Sequence, residues 1–382
     1  MPTPQSAPGF TGRRIRAAVV GTGAIGRGSH LPALAALADE VEVVAAVDVD
    51  AAAAEEFCRA GGVPHAYTDL DRMLAEQRPD LVTICTPPTL HREQTVAALR
   101  AGAWVWCEKP PVPTLADYAA VEAEEGAGAG PYASIVFQHR FGSGSRQVRR
   151  LLAEGALGRP LVVHCQTTWH RDTAYYAVPW RGRWATEGGG PAMGHGIHQM
   201  DLMLDLLGPW SEVRAMAGRL VHDVETEDVS TALVRFANGA LATVVNSVLS
   251  PDEVSRIRVD CERATVELTH LYGHRNADWR ITPAPDVPGE EAARWRDFGP
   301  DVPSSHAEQL RELIASMRAG ERPRGSGADG RTSLELIAAL YKSAFTGATV
   351  LAGEIGPGDP YFTSMHGDAP GWAPAVAREV TA

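Results

Sequence analysis

The chain has 382 residues, long for a single hydrophobic core, so two domains are expected. It is 45% apolar and 21% charged with a formal net charge of -12, a globular composition that argues against a nucleic-acid surface, which needs clustered Lys and Arg. No apolar run approaches the roughly 20 residues of a membrane span, and the opening MPTPQSAPGFTGRR lacks the apolar centre of a signal peptide; a cytoplasmic protein with a short loose leader is expected.

The first third alternates between two periods. Residues 16–20 read as a strand ending in glycines, 28–37 as a helix, and 41–47 as a β-branched strand closed by Asp48, together a βαβ unit. A helix over 51–60, a strand over 81–85, a helix over 91–101, a strand over 104–107 and a helix over 115–125 follow, with a last strand inside PYASIVFQHR. Such alternation implies a parallel sheet covered on both faces. The boundary is placed just after Phe137, giving domains of 12–138 and 139–375.

Beyond it the pattern changes. Strands over 161–168, 211–220, 229–236 and 240–248 follow one another, and Asn238-Gly239 between two alternating runs signals a hairpin. The second domain is therefore expected to be α+β on an open, largely antiparallel sheet. Helices over 306–319 and 332–350 close the chain; Leu336, Ile337, Leu340 and Tyr341 are spaced for one buried stripe, and Thr332 with Glu335 fits a capping box. The cysteines Cys58, Cys85, Cys107, Cys165 and Cys261 form no C-x-x-C pair and are expected to be reduced core residues.

GTGAIG places Gly21, Gly23 and Gly26 between the first strand and the following helix. There the first glycine permits the tight turn, the second lets backbone approach a pyrophosphate, and the third lets helix and strand pack. Asp48 lies where a carboxylate accepts hydrogen bonds from the adenosine ribose, and Val49, Asp50 and Ala51 bring no base for a 2'-phosphate, which favours NAD over NADP. The segments TPPTLH, residues 86–91, and CEKPPVP, from Cys107, sit at carboxyl ends of parallel strands, where such sheets bind ligands. Lys109, desolvated there and facing a cationic nicotinamide, would have a lowered pKa suited to acid-base work.

GTGAIG, T-P-P-x-x-H, EKP and a later GGG…H…D signature stand in the order found in the glucose-fructose oxidoreductase, inositol dehydrogenase and rhizopine-catabolism (Gfo/Idh/MocA) family, which the chain resembles from about Arg14 to Leu351. The resemblance extends through Glu227-Asp228, FANGALA and LIAALYKSAFTGATV. It implies a Rossmann domain, a second domain whose open sheet often makes dimers or tetramers, and an NAD(P)-linked enzyme acting on a secondary alcohol of a sugar, cyclitol or related polyol. It makes Lys109 the catalytic lysine and sets Gly21, Gly23, Ala24, Ile25, Gly26, Asp48, Thr86, Pro87, His91, Glu108 and Gln138 around the cofactor, with Arg140 beside Gln138 near the nicotinamide.

In many members the triple glycine is followed by an Asp and, four residues later, a His. In GGGPAMGHGIHQMD that His is His198, the closing structural Asp is Asp201, and the usual Asp is replaced by Gly194. Lys109 and His198 remain as the acid-base set, with His195 as a substrate contact or substitute. Metal is not expected: His195, His198 and Asp201 spread around a helix rather than sharing a face. The approach to this segment is rich in Trp, Tyr, Arg and His, and sugars stack on aromatic rings while their hydroxyls need donors and acceptors. Trp169, His170, Arg171, Tyr175, Tyr176, Arg181 and Trp184 are thus pocket candidates.

Two other functions fit the motifs. One is redox-neutral elimination or glycoside cleavage with NAD recycled; the other is a non-enzymatic nucleotide-sensing regulator, whose mark would be loss of the EKP lysine, here retained.

Overall fold

The computed structural model describes residues 9, 10 and 12–374; the expected leader at 1–8 and residue 375 of the expected second domain lie outside the described residues. Six strands, β1 Ile15–Val20, β2 Val41–Val47, β3 His65–Tyr67, β4 Leu81–Ile84, β5 Trp104–Cys107 and β6 Ala133–Ile135, pair in parallel in the order β3-β2-β1-β4-β5-β6. The order reverses between β1 and its neighbours β2 and β4, which opens a crevice at their carboxyl ends. Every residue of β4, β5 and β6 is buried, as strands covered on both faces require. The strand β3 and the helix Leu70–Gln77 escaped the sequence reading, β3 because three residues carry no readable period.

The second sheet has eight strands: β7 Pro160–His170, β8 Trp210–Gly218, β9 Val229–Phe236, β10 Leu241–Ser247, β11 Leu249–Cys261, β12 Ala264–Thr269, β13 Trp279–Pro283 and β14 Val350–Leu351, in the order β13-β12-β11-β7-β10-β9-β8-β14. All neighbours are antiparallel except β7 and β10. The expected hairpin joins β9 to β10, with Gly239 at φ +92°. One face is apolar and inward, carrying Ala232, Val234, Phe236, Ala242 and Val244, and packs in one core with the helix Ile197–Leu207 and the stripe Leu336, Ile337, Leu340 and Tyr341.

Two expectations need correction. The helix His306–Ala319 forms as expected, but Leu310, Leu313, Ile314 and Met317 pack with Ile15, Val19, Leu34 and Trp106 against the first sheet, so 139–375 is not one packing unit. The last long helix runs Gly327–Thr346. Thr332 is inside it and its Oγ1 donates back to the Ala328 carbonyl at 2.8 Å, so the Thr332–Glu335 capping box does not form.

Candidate active site

The glycine turn is shaped by contact. Gly21 has φ +92°, and a Cβ on it would lie 2.8 Å from the Cys85 carbonyl carbon; one on Gly26 would lie 2.5 Å from the Gly21 oxygen. At Gly23 a Cβ would meet nothing within 4 Å, leaving its backbone open to a ligand. Ala24 and Ile25 lead from it into a widened i→i+5 turn over Gly26–His30. Asp48 accepts from the Thr22 amide and hydroxyl, both at 2.8 Å, and from the Asp50 amide at 3.1 Å. Burial pushes its carboxyl up, but these donors outweigh that and hold it below the ordinary value.

At the end of β4, Pro87 is the N-cap of the helix Pro88–Arg100, and the Thr86 hydroxyl donates to Gln94 at 2.6 Å. His91 does not face the crevice. It is buried, with Nε2 2.8 Å from the Thr86 carbonyl and Nδ1 2.9 Å from the Pro110 carbonyl, so it ties the β4 turn to the lysine turn. Glu108 is also largely buried, but it lines the cleft beside Lys109. Its Oε1 accepts from His30 Nε2 and His306 Nε2, each at 3.0 Å. Burial opposes the charge, but the two imidazoles hold the carboxyl well below its ordinary range. These three side chains have metal-ligand spacing, within 4.8 Å of one another. Hydrogen bonds account for that spacing, and His30 Nδ1 is buried without a partner, where a ligating imidazole is ordinarily anchored.

Lys109 projects from this turn into a cleft of about 480 Å³ lined by Ile25, Lys109, Gln138, His198, Tyr272 and His306, among others, a size suited to a small ligand. Its Nζ donates to the Gly194 carbonyl at 3.0 Å. Burial lowers its pKa against the pull of Glu108, and Arg181 lowers it further. His198, on the facing helix, is buried with both ring nitrogens unpartnered, as is the Gln138 Oε1. Burial and then Lys109 push His198 well below the ordinary histidine value, so it is a neutral ring.

The facing helix is fixed at its start. Glu227 accepts from the Gly190 and Ala192 amides at 3.0 Å and from the Tyr341 hydroxyl at 2.9 Å. A Cβ on Gly190 would lie 2.0 Å from the Glu227 carbonyl oxygen, which explains a glycine there. At Gly194 a Cβ would meet nothing within 4 Å, so a side chain has room where this chain carries none. His195 sits in a second part of the site, its ring 5.0 Å from Trp169 and 6.2 Å from Tyr175. Arg171 lies over the Trp169 and Tyr175 rings, and Arg181 over Tyr175, donating to Glu187 at 2.9 Å.

Three expected site residues lie elsewhere and a fourth, Tyr176, at the margin. Trp184 is buried against Tyr341 and Phe345 and donates to the Trp372 carbonyl at 2.9 Å, a core role. Tyr176 stands at the margin: it packs edge-on against Tyr175 and on His222 and, with Arg181, lines a hollow that also includes Arg219 and Trp372. His170 is exposed at the end of β7. Arg140 is buried in a bidentate pair with Asp201, at 2.7 and 2.5 Å, which spends its guanidinium on joining two helical segments and away from the nicotinamide. The sequence reading missed His139, Tyr272, His274, His306 and Glu187. His139, standing between Gln138 and Arg140, and Glu187, directly before the triple glycine at the end of the short helix Trp184–Glu187, carried a local signal; the others come from one loop and a distant helix.

A pyrophosphate-ready glycine turn at a sheet switch point, with a desolvated lysine and a neutral histidine across one cleft, defines a dinucleotide-dependent oxidoreductase of two-sheet design. The chain belongs to the Gfo/Idh/MocA family: residues 15–128 match its NAD-binding Rossmann domain and residues 145–267 its C-terminal domain. It is 29% identical to the D-apiose dehydrogenase of Paraburkholderia graminis over 95% of this chain and 96% of that one. It is also 29% identical to the myo-inositol 2-dehydrogenase of Thermotoga maritima over 86% and 96%. The structure of the WlbA dehydrogenase of Bordetella pertussis in complex with NADH and UDP-GlcNAcA superposes with a TM-score of 0.77 at 26% identity, covering 89% of this chain and 99% of that one. The chain is thus an NAD-dependent oxidoreductase.

Proposed function

We propose that the chain transfers hydride to or from a secondary alcohol of a sugar, cyclitol or related polyol, with Lys109 and His198 moving the hydroxyl proton. The observation that carries this reading is the pairing of Lys109, 3.0 Å from the Gly194 carbonyl, with the unpartnered His198 ring in one cleft. The named relatives, apiose and inositol dehydrogenases among them, support the substrate class.

The residues fit NAD. Gly21, Gly23 and Gly26 with Ala24 and Ile25 would hold the pyrophosphate at the open Gly23 backbone, Asp48 the ribose, and the free Gln138 Oε1 a carboxamide N–H. Thr86 and Pro87 border this crevice, Glu108 lines it beside Lys109, and His91 acts behind it by fixing the lysine turn. Bound there, the nicotinamide supplies the hydride acceptor or donor.

In the oxidation direction the neutral Lys109 amine accepts the hydroxyl proton. Its lowered pKa makes that form available, and the Gly194 carbonyl aims Nζ. His198 steadies the hydroxyl with one ring nitrogen. With no acid at 194, His195, Trp169, Arg171, Tyr175 and Arg181 orient the sugar ring.

The outer face of the second sheet, where Met216, Leu233 and Leu241, 76%, 62% and 50% exposed, stand among Arg214, Thr231 and Arg235, supports a homodimer or homotetramer. No helix among the described residues is long and apolar enough to cross a membrane. The test is NADH formation from NAD across a panel of sugars, cyclitols and aminosugars. One or more panel members should reduce NAD; tight NAD binding with no net NADH from any would instead favour the redox-neutral or regulatory reading.

A further inference from the structure

Five imidazole nitrogens behind the cleft are buried without a partner: both of His139, both of His198 and Nδ1 of His274. Unpaired buried polar atoms are costly and call for an explanation such as a role or an internal water. The rings stand in a row. His198 and His139 centroids are 5.0 Å apart and those of His139 and His274 are 4.3 Å apart. His274 Nε2 lies 3.3 Å from the carbonyl of His270, whose side chain is exposed. Tyr272 covers the His139 and His198 rings at 5.3 and 5.5 Å. The row therefore begins in the cleft that Lys109 and His198 line and runs to the His270 carbonyl, on a loop whose Tyr272 and Gly273 wall the cleft and whose His270 side chain is exposed.

We propose that the proton taken from the substrate hydroxyl leaves the filled cleft along this row, from His198 to His139 to His274, whose Nε2 then exchanges its bond to the His270 carbonyl for one to solvent water and releases the proton there. This rests on the dehydrogenase reading above. The alcohol gives its C–H hydrogen and two electrons to the nicotinamide and its O–H proton to Lys109. Each ring then takes a proton on one nitrogen and releases one from the other, after a ring flip or across one water, so none changes net charge over a cycle. The groups facing the row suit neutral rings. Lys109, His274, His198 and His306 face His139; Lys109, His306 and His195 face His198, with Glu108 as its one acid; and His270 and Asp278 face His274. Burial adds to this by disfavouring the charged form. His139 and His274 are relay residues, not groups that touch substrate.

His139→Phe and His274→Phe keep ring volume and remove the nitrogens; His139→Gln serves if the first does not fold. With whichever panel substrate the wild type oxidises, kcat should fall by about tenfold or more while KM and NADH affinity stay within about twofold, and the solvent isotope effect on kcat should rise. Unchanged kcat and isotope effect in the folded variants would overturn the relay. If the wild type oxidises no panel member, the dehydrogenase reading is what fails. The relay is then read from exchange of the His198 ring proton with water in the NADH complex: slower exchange in the His139 variant supports it, and an unchanged rate overturns it.

Discussion

Lys109 makes its cleft-side hydrogen bond to a backbone carbonyl, not to a carboxylate, and that choice sets its chemistry. Nothing at 194 compensates the ammonium, so burial dominates and the pKa falls from the ordinary 10.5. The rate of alcohol oxidation should therefore rise with pH and level off through a pKa below 10.5, read from kcat/KM against pH. A carboxylate at 194 would favour the charged lysine. Gly194→Asp has room for its side chain and should move that rise upward by about 1 to 3 in pH; an unmoved profile would mean that Nζ and residue 194 are not coupled. At this scale the sequence was informative where a motif fixed backbone geometry. Gly21, Gly26, Lys109 and His198 were readable because turn and helix place them. Arg140 and Trp184 misled because charge and aromaticity look alike in a core pair, a packed wall and a binding site. Tyr272 and His274 could not be read, since the short loop after β12 brings them to the cleft from some 75 residues beyond His198.

The helical run of Ala192–Gly196, carrying His195, and Ile197–Leu207, carrying His198, starts with two amides aimed at one buried carboxylate. Removing that acceptor in Glu227→Ala should destabilise the protein by about 1–3 kcal/mol, measured by denaturant unfolding, because the Gly190 and Ala192 amides and the Tyr341 hydroxyl lose their partner. Burial raises the Glu227 carboxyl from 4.5 to about 7, against those donors. The folded protein then holds this proton where the unfolded chain has released it. The group's contribution to stability should thus fall as pH rises between 4.5 and about 7. Glu227→Gln should flatten that slope; an unchanged slope would place the titration elsewhere. Most elements were legible from period alone, but β3, β11, β12, β13 and the helices Leu70–Gln77 and Ser143–Ala153 were not; β11 shows why. Its run LSPDEVSRIRVDC mixes a proline and charges into the strand, tolerated because the pairing with β7 shifts between Leu249 and Val254. The helix His306–Ala319 was legible as a helix, yet its partner surface was not, because chain order suggested the second unit and packing chose the first.

Across the whole molecule, the two sheets share the work: the parallel sheet presents the glycine turn and Lys109, and the helix lying on the inner face of the open sheet presents His198. The open sheet's outer face is unpaired in a single chain. Met216→Glu with Leu233→Arg should dissociate the proposed homo-oligomer, seen as a lower mass in light scattering; an unchanged mass would place the interface elsewhere. The account's central claim is that Lys109 is the acid-base group of an NAD-linked alcohol oxidation, and Lys109→Met tests it most directly. On the best panel substrate, NADH formation should drop by about 10²–10⁴-fold while NADH binding, followed by fluorescence titration, stays at the wild-type level. Turnover equal to wild type with that lysine gone would contradict the account.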